Sequence, residues 1–114
     1  MFSSERKKAV YDAWKREAEA VKNGVSKYNW SSTEIQQLLE YGKISGYEGH
    51  HIRTVRELAG TAKEYLISSA DNIVFLTKQG HTFVHHGGFK NPTDIERLVE
   101  LLPWVVERLP ALGI

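Results

Sequence analysis

Apolar residues recur every three or four positions near the start of the chain, where Val10, Ala13, Trp14, Ala18 and Val21 fall among Lys, Arg and Glu. That period predicts an amphipathic helix over 4–22, ended by Asn23-Gly24. A second helix is predicted from "WSSTEIQQLLEYG". Ser31 is placed to cap it, Glu34 completes a capping box, Trp30 and Ile35 are placed as a hydrophobic staple, and Gly42 stops it. The mixture of β-branched, aromatic and glycine residues in "KISGYEGHHI" (43–52) then predicts a short, irregular strand. Residues 54–69 read two ways. Val55, Leu58, Ala59, Ala62 and Leu66 would line a helix face, whereas Gly60 and Ser68-Ser69 favour a loop. "NIVFLT" (72–77) has the composition of a buried strand. "KQGHTFVHHGG" follows as one or two helical turns, with Thr77 as cap and Gly87 as stop. The tail opens on Thr93 and Glu96 as a capping box. It continues through Ile95, Leu98, Val99, Leu102, Val105 and Val106, with Pro103 expected to kink or split it.

This order predicts one α+β domain with a helical part (1–42), a β-containing centre (43–92) and a C-terminal helix (93–114). Two strands are too few to stand alone, so the helices over 4–22 and 94–109 are expected to support them. The 114 residues suit a single modest core, and 41% hydrophobic with 25% charged residues is ordinary for a globular domain. No cysteine is present, which excludes disulfides and thiolate metal sites. No apolar run approaches the ~18 residues of a membrane span, so no membrane partner is expected. "MFSSERKKAVYDAWKREAEAV" is too charged for the core of a secretory signal peptide, so any export is expected to be directed by residues outside these. The net charge is +1 but uneven: residues 1–56 hold ten Lys/Arg against seven Asp/Glu, and residues 57–114 hold five against seven. A mildly basic front permits phosphate contact without demanding it.

The five histidines all lie between residues 50 and 86: His50, His51, His81, His85 and His86. His81 and His85, four apart, project from one face of a helix, the spacing at which two imidazoles grip one divalent cation. A third nitrogen from the strand would make three protein ligands with one position open, the pattern of catalytic rather than closed structural centres. Adjacent strand side chains diverge, so the His50-His51 doublet is expected to divide its labour. One imidazole ligates the ion, and the other stays free as a base with an ordinary pKa of about 6.5.

Pattern and spacing together, in "GYEGHHI…ADNIVFLTKQGHTFVHHGGF", resemble the HNH or ββα-metal (His-Me finger) nuclease superfamily. More narrowly they resemble the GHH-signature nuclease domains of bacterial polymorphic toxins, and the metal core of the nuclease colicins. The likeness is strongest over residues 43–92. It implies His50, His81 and His85 as ligands of one divalent ion (Zn²⁺, Ni²⁺, Mn²⁺ or Mg²⁺) and His51 as the general base. It further implies that Asn72 restrains the backbone around His51, and that Glu48 orients an imidazole. The family's phosphate-binding arginine has no unambiguous match; Arg53 and Arg56 are the candidates, with Arg6 a third. The activity implied is endonucleolytic phosphodiester hydrolysis of DNA, with RNA as the alternative. The setting implied is a larger secreted toxin acting in a target cell's cytoplasm and neutralised by a cognate immunity protein.

Three other readings are open, the plainest being that the histidines are unrelated packing residues. A phage or mobile-element HNH endonuclease would use the same chemistry. A nucleic-acid-binding module with a structural metal would need His86 or Asp71 to close the coordination sphere. Trp14, Trp30 and Trp104 are expected in the core, and "LLPWVV" in a core helix.

Overall fold

A computed structural model describes residues 2–114. Helix α1 (Ser3–Lys22) and helix α2 (Ser32–Tyr41) lead into strand β1 (Tyr47–His51). A single turn, α3 (Val55–Leu58), and 3₁₀ turns over Glu64–Ser68 and Ala70–Asn72 follow. Strand β2 (Ile73–Thr77) then runs antiparallel to β1, pairing His50 with Val74 and His51 with Ile73. Helix α4 (Lys78–Val84) leaves β2 directly, and α5 (Ile95–Leu101) precedes 3₁₀ turns over Pro103–Arg108 and Pro110–Leu112.

The local signals explain most boundaries. Ser31 Oγ accepts the Glu34 N–H while the Glu34 carboxylate accepts the Ser31 N–H, the reciprocal capping box. Thr77 caps α4 through the Gly80 N–H at 3.1 Å. The ambiguous stretch resolves into α3, whose own capping box links Thr54 and Glu57, and then into 3₁₀ turns. The split expected at Pro103 is seen, while two other expectations for the tail, its cap and a helix running on to the end, change. Asp94, not Thr93, caps α5, accepting the Arg97 N–H. The expected C-terminal helix ends at Leu101, because Pro103 has no N–H to continue it, and the chain goes on as 3₁₀ turns.

Both faces of the two-stranded sheet are covered, which lets so small a sheet persist. Ile73 and Phe75 face α1, joining Ala9, Ala13, Trp14, Leu38, Ile44 and Ala70 in one apolar cluster. The Trp14 and Phe75 rings stack there with centroids 3.6 Å apart. Val74 and Leu76 face the other way, into a second cluster with Ile52, Leu58, Val84, Leu98, Val105 and Leu112. This is why β2 reads as a continuous apolar run rather than an alternating one. Its outer edge is blocked by side chains: the Phe75 N–H donates to the Tyr28 hydroxyl, and Arg108 donates to the Ile73 carbonyl.

Gly49 sets the distance between α1 and β1. A Cβ at this position would lie 2.7 and 2.8 Å from the two methyls of Val10. Only a residue without a side chain lets the helix sit this low on the strand.

Candidate metal centre and cleft

The pleat of β1 sends His50 and Glu48 to the α4 side of the sheet and His51 and Gly49 to the α1 side. His50 is 2% exposed and meets the two histidines of α4. His81 lies within that helix, and His85 occupies its C-cap, one residue past its last turn. The three rings form a near-equilateral triangle, with centroid separations of 4.7, 4.8 and 5.0 Å. One ring nitrogen from each lies within 4.8 Å of the other two, so the trio could hold one metal ion. Three imidazole nitrogens this close are a donor set that suits one first-row divalent ion.

The partners of the rings suit that chemistry. His85 Nδ1 lies 2.8 Å from the Asn91 carbonyl, which can only accept, so Nδ1 carries the proton and Nε2 keeps its lone pair. His50 Nε2 is 3.1 Å from the buried Thr93 hydroxyl. Glu48 Oε2 is 3.6 Å from His81 Nδ1, an ionic approach longer than a hydrogen bond. Burial, followed by the neighbouring imidazoles, pushes the His50 pKa down to about 2. Burial and then His85 lower that of His81, against the pull of Glu48. Both rings are thus held neutral, the form a metal requires.

His51 is separate from the trio. Its Nε2 donates to the Ile67 carbonyl at 2.9 Å, leaving Nδ1 as the bare, proton-accepting nitrogen. Burial lowers its pKa; the carbonyl contact opposes this, and the nearby Arg6 charge adds to it. Asn72 is fully buried. Its Oδ1 accepts the Arg53 N–H at 2.8 Å and its Nδ2 donates to the Arg53 carbonyl at 2.9 Å. The Ile52 N–H reaches the Asn72 carbonyl at 2.8 Å, so the residues just after His51 are fastened on both sides.

One cleft of about 650 Å³ contains all four of these imidazoles. Its α1 wall carries Arg6, Lys7 and Tyr11, its far wall His81, His85 and Phe89, and Lys43 borders it. Arg53 and Arg56, the expected phosphate contacts, do not line it. The Arg53 guanidinium donates to the Leu112 carbonyl at 3.0 Å and lies 3.6 Å from Glu57, while Arg56 is on the exposed side of α3. Neither residue needed for a closed structural site joins the trio. His86 bonds to Asp94 at 2.6 Å, and Asp71 pairs with Arg16 at 2.6 Å.

Sequence reasoning missed Thr93, read as a helix cap, and the cleft residues Tyr11, Lys43 and Phe89, while Lys7 was read only as part of the basic front. Thr93 lies 43 residues from its partner, and no local pattern links them. The 7, 11, 14 spacing of Lys7, Tyr11 and Trp14 along α1 was the available signal for that wall.

The chain is similar to the teneurins. It is 36% identical to teneurin-3 of Mus musculus, 35% to teneurin-3 of Danio rerio and 33% to teneurin-1 of Homo sapiens. Each match extends over 72 residues, 62% of this chain but only 2% of the relative's length. Residues 1–77 match the family described as "GHH signature containing HNH/Endo VII superfamily nuclease toxin". That span takes in α1 and α2 as well as His50, His51 and Asn72, and it stops four residues short of His81. Two-thirds of the sequence carrying this signature, and a fold that brings its doublet to a three-imidazole cluster, lead to one assignment: the chain belongs to the GHH-signature HNH/Endo VII superfamily of nuclease toxins.

Proposed function

We propose that this domain is a metal-dependent endonuclease that hydrolyses phosphodiester bonds of DNA. The observation that carries the reading is the split of the doublet: His50 joins two other imidazoles, while His51 emerges in the same cleft with a bare Nδ1.

His50, His81 and His85 would hold one divalent ion. Three neutral imidazoles suit Zn²⁺ or Ni²⁺, whereas Mn²⁺ and Mg²⁺ favour oxygen ligands. Such an ion, when bound, supplies positive charge for the charge that develops on the phosphate and the leaving 3′ oxygen. His51 Nδ1 takes the proton of the attacking water, and its Nε2–H on the Ile67 carbonyl fixes the ring for that transfer. Asn72 holds the backbone that carries His51. Glu48 steadies His81 through the Nδ1 side of its ring. Arg6, which faces the cleft and acts on His51, takes the phosphate role for which Arg53 and Arg56 were candidates. A centre that works on the leaving oxygen has no need of a 2′-hydroxyl, which favours DNA over RNA. Family membership supports the wider setting: the toxin part of a larger secreted protein, acting in a competitor's cytoplasm and neutralised by an immunity protein.

The test incubates the domain with plasmid DNA and with RNA across Mg²⁺, Mn²⁺, Ni²⁺, Zn²⁺ and EDTA. Cleavage of DNA is expected with metal and none with EDTA. His51→Ala is expected to lose roughly 10²–10⁴-fold in rate while binding metal as tightly as the wild type. His50→Ala is expected to lose the metal itself. Equal loss of metal from both variants would overturn the division of labour.

A further inference from the structure

Phe89 is 63% exposed, yet it is held in place beside the imidazole cluster. Its ring stacks on His81 with centroids 4.8 Å apart and planes 24° from parallel, and it meets His85 edge-on at 5.9 Å. The turn that presents it is built by left-handed residues, His86 (φ 51°) and Gly87 (φ 80°). It is closed by Gly88 N–H to the His85 carbonyl (3.0 Å), Asn91 N–H to the Gly88 carbonyl (2.9 Å) and Asn91 Nδ2 to the His85 carbonyl (3.0 Å). A large apolar ring is therefore fixed with one face on a candidate metal ligand and the rest toward solvent, at the rim of the cleft. Across that cleft, α1 presents Tyr11, 67% exposed, together with Arg6 and Lys7. An apolar ring beside the imidazole cluster, with a cationic wall across the cleft, matches the chemistry of a nucleotide, which has a flat base beside a charged backbone.

We propose that Phe89 is the stacking platform for an unpaired base next to the phosphate that is cut, so that the centre acts preferentially on single-stranded or locally opened nucleic acid. This rests on the nuclease reading above and deepens it by naming the form of the substrate. Inside a duplex the faces of a base are covered by its neighbours, and a protein ring reaches one only when the strand is single or the base is turned out. Phe89 is a positioning residue in this scheme, since it binds the nucleotide without touching the scissile bond.

The experiment uses the metal-loaded domain and three oligonucleotides: a single strand, its duplex, and the same strand made abasic at consecutive positions. Dissociation constants, kcat/KM and metal affinity are measured for wild type, Phe89→Leu, Phe89→Ala and Phe89→Trp. Wild type is expected to favour the single strand over both the duplex and the abasic strand. Phe89→Ala and Phe89→Leu are expected to lose roughly 5- to 150-fold on the single strand alone, the range of one base–aromatic stack, and Phe89→Trp is expected to restore it. All comparisons are made at saturating metal, so a change in metal affinity is separated from a change in base contact. Equal losses on intact, abasic and duplex substrates would overturn the proposal, as would full function in Phe89→Leu. Absence of turnover in every arm would refute the nuclease reading, and the binding measurements would still decide the stacking.

Discussion

Gly49→Ala probes how α1 is seated on the strand that carries the histidine doublet. The backbone at Gly49 is not left-handed, so alanine can adopt it. Replacing glycine there would by itself stabilise the protein by about 0.4–1 kcal/mol through a less flexible unfolded chain. The packing opposes this. The new methyl would lie 2.7 Å from Val10 Cγ1 and 2.8 Å from Cγ2, against an ordinary contact of at least 3.4 Å, so the helix must rise by about 0.7 Å. Valine has little freedom to turn aside on a helix. Overpacking of this size costs about 1–3 kcal/mol, which leaves a net loss of up to about 2.5 kcal/mol and about 1 kcal/mol at mid-range. The assay is urea unfolding of the wild type, Gly49→Ala, Val10→Ala and the double variant. Val10→Ala removes both colliding methyls, so the double variant should be more stable than the sum of the two losses by about 1 kcal/mol or more. Strict additivity, or a Gly49→Ala protein more stable than the wild type, would refute the argument. Because Arg6 rides on α1 and the metal cluster lies on the opposite face, kcat should fall in Gly49→Ala with metal affinity unchanged.

Other expectations follow from single contacts. Asn72→Ala leaves the Arg53 N–H and carbonyl without their buried partner, and should destabilise the fold by about 2–3 kcal/mol in urea unfolding while lowering turnover. Arg6→Ala should lower kcat/KM and weaken its salt dependence with little change in melting temperature. Arg53→Ala, losing the Leu112 contact, should do the reverse, and calorimetry beside a cleavage assay separates the two. Burial raises the Tyr28 pKa above its ordinary 10.0. Its contribution is complete below pH 10 and is lost as pH rises toward the higher folded value, because the unfolded phenol ionises first. Stability measured from pH 8 to 11 should therefore fall at the alkaline end, and less steeply in Tyr28→Phe.

What the sequence made legible was local. The Ser31–Glu34 box, the Thr77 cap and the apolar run of β2 each lie within a few residues, and each element stands where its signal placed it. The Thr54–Glu57 box was equally local but was masked by Gly60, which breaks the helical period three residues later. What was illegible depended on distance. Thr93 looked like a cap until His50, 43 residues earlier, placed a ring nitrogen 3.1 Å from its hydroxyl, and the cap passed to Asp94. Arg53 looked free to meet phosphate because its ties run to the far end of the chain, at Leu112. Arg6, named as a third candidate, lies outside the motif, and the packing of α1 on the sheet brings it into the cleft with His51.

The same packing explains why the signature takes the form Gly-His-His. A strand alternates its side chains, so two adjacent imidazoles can never serve one ion from the same face without distortion. Adjacency becomes useful when both faces of the sheet are covered, since each face then meets a different element. Here α4 receives His50, and α1 approaches the side of His51. Glycine one step earlier shares the His51 face and lets α1 come close enough to bring the Arg6 charge near His51. A one-residue slip of β1 would send His51 toward α4 and leave His50 beside Arg6. The tie between the Asn72 amide and the Arg53 backbone, two residues past the doublet, opposes that slip at the point where it would begin. Register, more than any one imidazole, therefore decides which ring joins the three-imidazole cluster and which stays apart from it.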